Sequence, residues 1–360
     1  LWKGASASHM SELLFTEAGR SVSPKTITRI LKGASLKNPF SHKGPRKRRM
    51  RARMERFGQM LQIDASPFDW LSNGSMITLH GAIDDATGSV TALRFERTEC
   101  LDGYFHVLEE TILNYGIPGS LYSDAHSIFF SPSPSKLSLT EELRGAGEGR
   151  TQFGKALEIL GIKAIKALSP QAKGRIERLW GTLQHRLVVD MRVAGVSTLE
   201  EANAFLASYR TRHNELFAVP PKDETTAFVP APSKEDLALI LCRRVFRKMT
   251  GDSTLSWKGR KWSALDSQGR KVLFRKGVEV EVLDLLDGRT VLHHQGAFHK
   301  LVRVEEEAAK MASAEASTAT STEERVRKPW TPGPDHPWKK EYEKRVSRKR
   351  IREHSLEQIP

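Results

Sequence analysis

Between residues 58 and 95 three strand-length apolar runs follow one another, and this clustering of strands before strands and helices begin to alternate most constrains the fold. "MLQIDASPFDWL" and "SMITLHGAID" are separated by the turn Ser72-Asn73-Gly74, and "SVTALRFE" follows the turn Asp85-Ala86-Thr87-Gly88. Short turns between such runs predict an antiparallel meander. The pattern then changes to alternation. "LDGYFHVLEETILNYG" is an amphipathic helix ending at Gly116, "IPGSLYSDAHSIFF" holds a short strand, and residues 131–150 form a loop rich in Ser, Pro and Gly. A helix "TQFGKALEILG", a strand "IKAIKAL", a long helix "GRIERLWGTLQHRLVVDMRV" and a further helix "LEEANAFLASYRTRHNEL" follow. Strands first and alternation afterwards predict an α/β unit, a mixed sheet covered by helices on both faces.

The flanks have a different character. Residues 10–35 read as two short helices, with Ser23 as an N-cap, Pro24 at the first helical position, and Ile27, Ile30 and Leu31 in helical period. The second helix is compatible with the reading half of a helix-turn-helix, with Lys25, Thr26, Thr28 and Arg29 towards DNA, and equally with an ordinary amphipathic pair. In "SHKGPRKRRMRARMERF", residues 41–57, eight Lys or Arg face the single acid Glu55. Such a block is either a solvated linker or an arm along phosphates, with Arg46, Lys47, Arg48 and Arg49 at its centre. The Pro-rich "VPPKDETTAFVPAPS" marks a boundary, and residues 243–304 carry short strand signals punctuated by Gly259, Gly288 and Gly296, as in a small β-barrel. Beyond Glu305 the apolar content is too low for independent folding. The expected division is a helix-turn-helix-like region at 1–40, a basic linker at 41–57, a core at 58–218, a linker at 219–242, a barrel at 243–304 and a mostly disordered basic tail at 305–360.

A formal net charge of +14 favours polyanionic partners, nucleic acid ahead of an acidic membrane surface. No apolar segment approaches a bilayer span and the first residues lack a secretory pattern, so a soluble, cytoplasmic protein is expected. The chain opens at Leu1, compatible with a piece of a longer protein. Cys100 and Cys242 lie far apart with no metal-binding spacing, so any metal should be held by oxygen.

Three acids stand where solubility does not call for them. Asp64 interrupts the apolar run of the first strand, Asp124 ends the fourth, and Glu177 lies in the first turns of the long helix. A carboxylate among Met60, Leu61 and Ile63 is costly unless a donor, a cation or a metal compensates it. On the long helix Ile176, Leu179, Trp180, Leu183 and Leu187 form the buried stripe, while Lys173, Glu177, Gly181 and Gln184 share the adjoining face, so Glu177 is expected to border the core. If the first and fourth strands are neighbours, a helix laid across them brings the three acids together. Such oxygen clusters hold magnesium, and two such ions promote in-line displacement at phosphorus. Singly, each has a plain alternative: a turn former before Pro67, a helix cap, or an ion pair with Lys173, Arg175 or Arg178.

"LQIDAS", "GAIDDATGSVTALRF", "LYSDAHSIF" and "LSPQAKGRIERLWGTLQHRL" together resemble the integrase-core DDE transposases of bacterial insertion sequences, relatives of the retroviral integrases. The resemblance runs from about Gly58 to Glu215. It implies a ribonuclease-H-like mixed five-stranded sheet, with Asp64, Asp124 and Glu177 as the first, second and third catalytic and metal-binding acids. It also implies Mg2+, with Mn2+ as a substitute, cleavage at transposon ends, and joining of the freed 3'-hydroxyls to target DNA. Terminal inverted repeats, target DNA and a homo-oligomer assembled on DNA are the implied partners, in the nucleoid of a bacterial cytoplasm. The interval between Asp124 and Glu177 is longer than in the retroviral integrases, His126 stands where many relatives have Asn-Gly, and no His and Cys zinc module precedes the core as it does in the viral enzymes.

Lys166, Lys173, Arg175, Arg178, His185 and Arg186 cluster about the long helix, where the phosphates of a bound end would pass. Asp84 and Asp85 are rivals for a metal role, although "IDDATG" reads as hairpin turn chemistry. His293, His294 and His299 read as surface residues, and Trp257 and Trp262 as barrel core or a DNA clamp. Two other classes compete with a transposase: a domesticated, non-catalytic DNA-binding protein, and a nuclease of the same fold.

Overall fold

The turn at Asp84 is tied by its own side chain. Asp84 Oδ2 accepts from the backbone and hydroxyl of Thr87 at 2.7 and 2.8 Å, and Oδ1 accepts from Gly58 N at 3.0 Å. Around that turn and the one at residues 69–74, strands β1 (Leu61–Phe68), β2 (Ile77–Asp84) and β3 (Val90–Glu96) form the expected antiparallel meander. The computed structural model describes residues 2–36, 52–130, 151–167 and 174–304. The 131–150 loop, most of the 41–57 block, Lys173 and the 305–360 tail therefore lie outside the described residues.

After α3 (Leu101–Tyr115), strand β4 (Ser120–Ser123) pairs parallel with β1. Helix α4 (Gln152–Ile159) then leads to β5 (Lys163–Lys166), parallel to β4. The sheet order is β3-β2-β1-β4-β5, a mixed five-stranded sheet with the first and fourth strands adjacent. Period-two alternation divides its side chains between two cores. Leu61 and Ile63 pack with Tyr104, Phe105, Leu108, Phe153 and Leu157 on the α3 and α4 side. Leu79, Leu93 and Phe95 pack on the other side against α5 (Gly174–Val193) and α6 (Leu199–Phe217). The stripe Ile176, Leu179, Trp180, Leu183 and Leu187 is buried as its helical spacing implies, each side chain contributing about 2 kcal/mol.

The N-terminal helices are α1 (Ala7–Ala18) and α2 (Pro24–Gly33), with Ser23 capping α2 by accepting from Thr26 N at 3.2 Å. Helix α1 docks on the core through polar pairs. His9 Nε2 lies 2.7 Å from Asp190, which also accepts from Arg212 at 2.8 Å, and Arg186 grips both oxygens of Glu12.

The stretch 219–242, expected as a linker, is packed against the core. Phe228 stacks on Tyr115 and closes over Gly58, whose φ of +84° and close approach to the Phe228 ring both require glycine. Ile117 and Val229 form a backbone bridge, and Leu237 of α7 (Lys234–Ile240) and Leu241 enter the α3 core. Its prolines suggest a linker, whereas its apolar residues bury against surface that the core strands leave open.

Strands β6 (Cys242–Lys248), β7 (Thr254–Trp257), β8 (Arg260–Leu265), β9 (Glu279–Leu285), β10 (Thr290–His294) and β11 (Ala297–Arg303) form an antiparallel sheet in the order β6-β9-β10-β11-β8-β7. Its end strands β6 and β7 touch without forming a hydrogen-bonded pair among the described residues, so the sheet is curled. Leu255, Ala264, Val280, Val282, Leu292 and Leu301 are its core.

Candidate active site

The β1–β4 pairing leads into two of the three acids. In the parallel β1–β4 pair Leu61 lies opposite Leu121 and Gln62 opposite Tyr122. The paired residues end at Gln62 and Tyr122, and Asp64 and Asp124 each lie two residues beyond that pair, Asp124 being the first residue past β4. Both are half-buried. Both charges bear on the Tyr104 hydroxyl, which is pushed up chiefly by burial, then by its hydrogen bond to Glu99 and by the charges of Glu99, Asp64 and Asp124.

Helix α5 runs in step with β1. Gln62 Oε1 accepts from Ile176 N at 3.2 Å, Asp64 Oδ2 accepts from Trp180 Nε1 at 3.2 Å, and Ser66 Oγ accepts from Gln184 Nε2 at 3.1 Å. Two strand residues advance about 6.6 Å and four helical residues about 6.0 Å, so the three rungs repeat with nearly one spacing. The polar alternation Gln62, Asp64, Ser66 in an apolar strand is therefore one face read by one helix. Gly81, opposite Asp64 in the β1–β2 register, makes room for this contact. A Cβ there would stand 2.9 Å from Trp180 Cη2 and 2.9 Å from Leu93 Cδ2.

Glu177 lies in the first turn of α5, one turn before Trp180 and two turns before Gln184 on the flank that reaches β1. It is exposed, beyond the border position its spacing suggests, because Ile176 takes the inward direction at this turn. The three acids offer only oxygen donors, which suits a hard divalent cation. Among the described residues, no three His, Cys, Asp or Glu are grouped to hold a metal.

The basic residues divide. Lys25, Thr28 and Arg29 are exposed on α2, and Arg178 and His185 on α5. Lys166 is exposed at the end of β5, 5.7 Å from the centre of the Phe130 ring. Arg175 is turned inward instead, its side chain 11% exposed and 3.2 Å from Asp85 Oδ1. Arg46, Lys47, Arg48, Arg49 and Lys173 lie outside the described residues. Asp84 is the turn former its setting implies, with a carboxyl raised by burial against the hydrogen bonds from Thr87 and Gly58. Trp257 and Trp262 pack against the curled sheet's core, with Arg247 over Trp257 at 5.2 Å and Arg303 over Trp262 at 5.5 Å. A cavity of about 180 Å³ lies under α1, lined by His9, Arg186, Asp190, Tyr209, Arg212 and His213 among others and by none of the three acids.

No family model matches the chain. It is 30% identical over 364 residues to the transposase for insertion sequence IS1202 of Streptococcus pneumoniae, covering 92% of this chain and 75% of that protein. The chain belongs to the insertion-sequence transposases. A putative transposase of Sinorhizobium fredii, y4bF, is 35% identical over 248 residues, covering 68% of this transposase and 52% of that protein. Among solved structures, the simian T-cell lymphotropic virus intasome in complex with a PP2A regulatory subunit overlaps 81% of this chain and 94% of the matched chain, at 16% identity and a TM-score of 0.35. The HTLV-2 integrase catalytic core domain with magnesium overlaps 47% of this chain and 93% of its own, at 17% identity and a TM-score of 0.31. Among the described residues no helix of this transposase is long and apolar enough to cross a membrane.

Proposed function

We propose that this transposase cleaves transposon ends and joins the freed 3'-hydroxyls to target DNA, with Asp64, Asp124 and Glu177 as its catalytic acids. What supports the reading is that Asp64 and Asp124 each stand two residues beyond the same β1–β4 pair, and that the helix touching Asp64 through Trp180 carries Glu177 one turn earlier. Asp64 and Asp124 would hold magnesium from the sheet, and Glu177 would complete the set from α5. When bound, two such ions activate the attacking oxygen and stabilise the leaving one. In the first step water attacks phosphorus at the transposon end and the 3'-oxygen leaves, taking a proton to become a hydroxyl. In the second that hydroxyl loses its proton, attacks a target phosphorus and displaces the target's own 3'-oxygen.

The chain's residues do the positioning. Trp180 fixes the rotamer of Asp64, while the hydrogen bond from His126 N to Asp124 Oδ1 at 3.1 Å sets the second carboxylate. Lys166, Arg178 and His185 offer donors to the phosphates of a bound end, and Lys25, Thr28 and Arg29 on α2 offer a second contact, in a helix-turn-helix mode. Arg46, Lys47, Arg48 and Arg49 of the basic block would add further contacts to phosphates. Terminal inverted repeats are the proposed substrate, and two ends require at least two protomers on DNA. Incubating the protein with labelled candidate ends, target plasmid and magnesium tests this: joined products support the transposase, whereas cleavage without joining makes it a nuclease of the same fold.

A further inference from the structure

Asp84 and Asp85 adjoin in sequence and act on different parts of the molecule. Asp84 ties its own turn and Gly58, whereas Asp85, with 0% exposure, gathers three distant segments including the long helix. Its Oδ2 accepts from Met54 N at 2.9 Å, its Oδ1 accepts from Gln62 Nε2 at 2.9 Å, and Arg175 Nη1 lies 3.2 Å from the same Oδ1. Beside the Arg175 guanidinium the Asp85 carboxyl accepts, and the Gln62 amide turns its NH2 towards it. Its oxygen is thereby directed at Ile176 N, one of the first-turn donors that a helix cannot satisfy internally. Asp85 thus holds α5 at two consecutive residues, Arg175 by its side chain and Ile176 through Gln62. The next residue is Glu177.

We infer that Asp85 is a positioning residue for the transfer reaction: through Arg175 and Gln62 it sets the rotation of the first turn of α5, and with it the Glu177 carboxylate relative to Asp64. Two ties on adjacent residues leave the turn one setting about its axis, while a single tie would let Glu177 swing. The inference rests on the reading of Glu177 as the third acid. It also explains an acid at this depth: the Arg175 guanidinium and two N–H donors compensate a charge that would otherwise be expensive to bury.

The test uses the full chain in Asp85→Asn, Gln62→Met and Glu177→Gln, measuring DNA binding, single-turnover end cleavage and the Mg2+ concentration for half-maximal cleavage. Asp85→Asn should bind DNA as the unaltered protein does, cleave about tenfold to a hundredfold more slowly, and need several-fold more Mg2+. Gln62→Met, which keeps the Arg175 ion pair, should show the same Mg2+ shift with a smaller loss of rate. A purely structural role would lower the active fraction and leave the Mg2+ midpoint unmoved, and that result overturns the inference. If Asp85→Asn does not fold, the midpoint of Gln62→Met decides by the same criterion. Loss of cleavage in Glu177→Gln beside unshifted midpoints rejects Asp85 alone. Retained cleavage in Glu177→Gln rejects the three-acid reading and this inference with it.

Discussion

The indole N–H of Trp180 donates to the Asp64 carboxylate across 3.2 Å, joining the middle of the long helix to the centre of the first strand. The donor is a ring that Gly81 alone lets lie across the sheet. Replacing Trp180 by Phe keeps most of the buried ring and deletes the N–H. Cleavage should fall about tenfold, with a stability loss near 1 kcal/mol. Gly81→Ala should cost more, about 1–3 kcal/mol, because the ring or Leu93 must shift. Thermal melts and cleavage rates on both variants check this, and Gly81→Ala behaving as the unaltered protein would remove the steric part of the explanation.

Acid should destabilise the fold through two buried histidines. Burial pushes His80 and His213 each from 6.5 down to about 4, outweighing the backbone hydrogen bonds that favour the charged form of His80, while the Arg186 charge adds to the effect at His213. The folded state refuses a proton that the unfolded chain takes up below about pH 6.5, so this stability is complete above that pH and is lost as pH falls towards 4. The loss is about 2 kcal/mol per histidine by pH 5. Asp84 and Glu110, both raised by burial, act with opposite sign at the acid end. Urea midpoints between pH 7.5 and 5 measure the slope, and His213→Asn should reduce it. A flat profile contradicts the assignment.

Asp190 should control the docking of α1. It is 7% exposed and accepts from both His9 and Arg212. Asp190→Ala strands the buried His9 ring, while the exposed Arg212 turns to solvent, and should cost about 1–3 kcal/mol, with α1 becoming sensitive to limited proteolysis before the core. Proteolysis that starts in the core would place the stabilising role elsewhere.

Deleting residues 41–51 should weaken DNA binding and flatten its salt dependence, since each phosphate that the protein no longer neutralises reduces the slope of log K against log salt by about 0.9 for duplex DNA. Binding titrations between 50 and 200 mM salt give the slope directly, and an unchanged value would make the block a spacer.

Much of this arrangement was legible in the residues because it is written in local periods. The turn chemistry at Asp84 and Thr87, the alternation through Leu61, Ile63 and Asp64, and the stripe from Ile176 to Leu187 each specify an element and its buried face. What local pattern does not carry is which element meets which. Trp180 reads as one more apolar position of that stripe until β1 is known to lie beneath it. Asp85 reads as a second turn former beside Asp84, because its partners Met54, Gln62 and Arg175 come from separate parts of the chain. Arg175 reads as a phosphate ligand for the same reason, and 219–242 as a linker because its prolines hide the burial of Phe228 and Leu237.

Asp64, Asp124 and Glu177 are expected to act as one catalytic set. The most direct measurement is single-turnover cleavage of a labelled transposon end by Asp64→Asn, Asp124→Asn and Glu177→Gln, each with its DNA affinity measured in parallel. Each substitution should abolish detectable cleavage while leaving affinity within about twofold, since a carboxylate removed from a metal site costs several kcal/mol of barrier and adds nothing to phosphate binding. Cleavage retained in any one of the three, at unaltered affinity, would contradict the claim and take that residue out of the site.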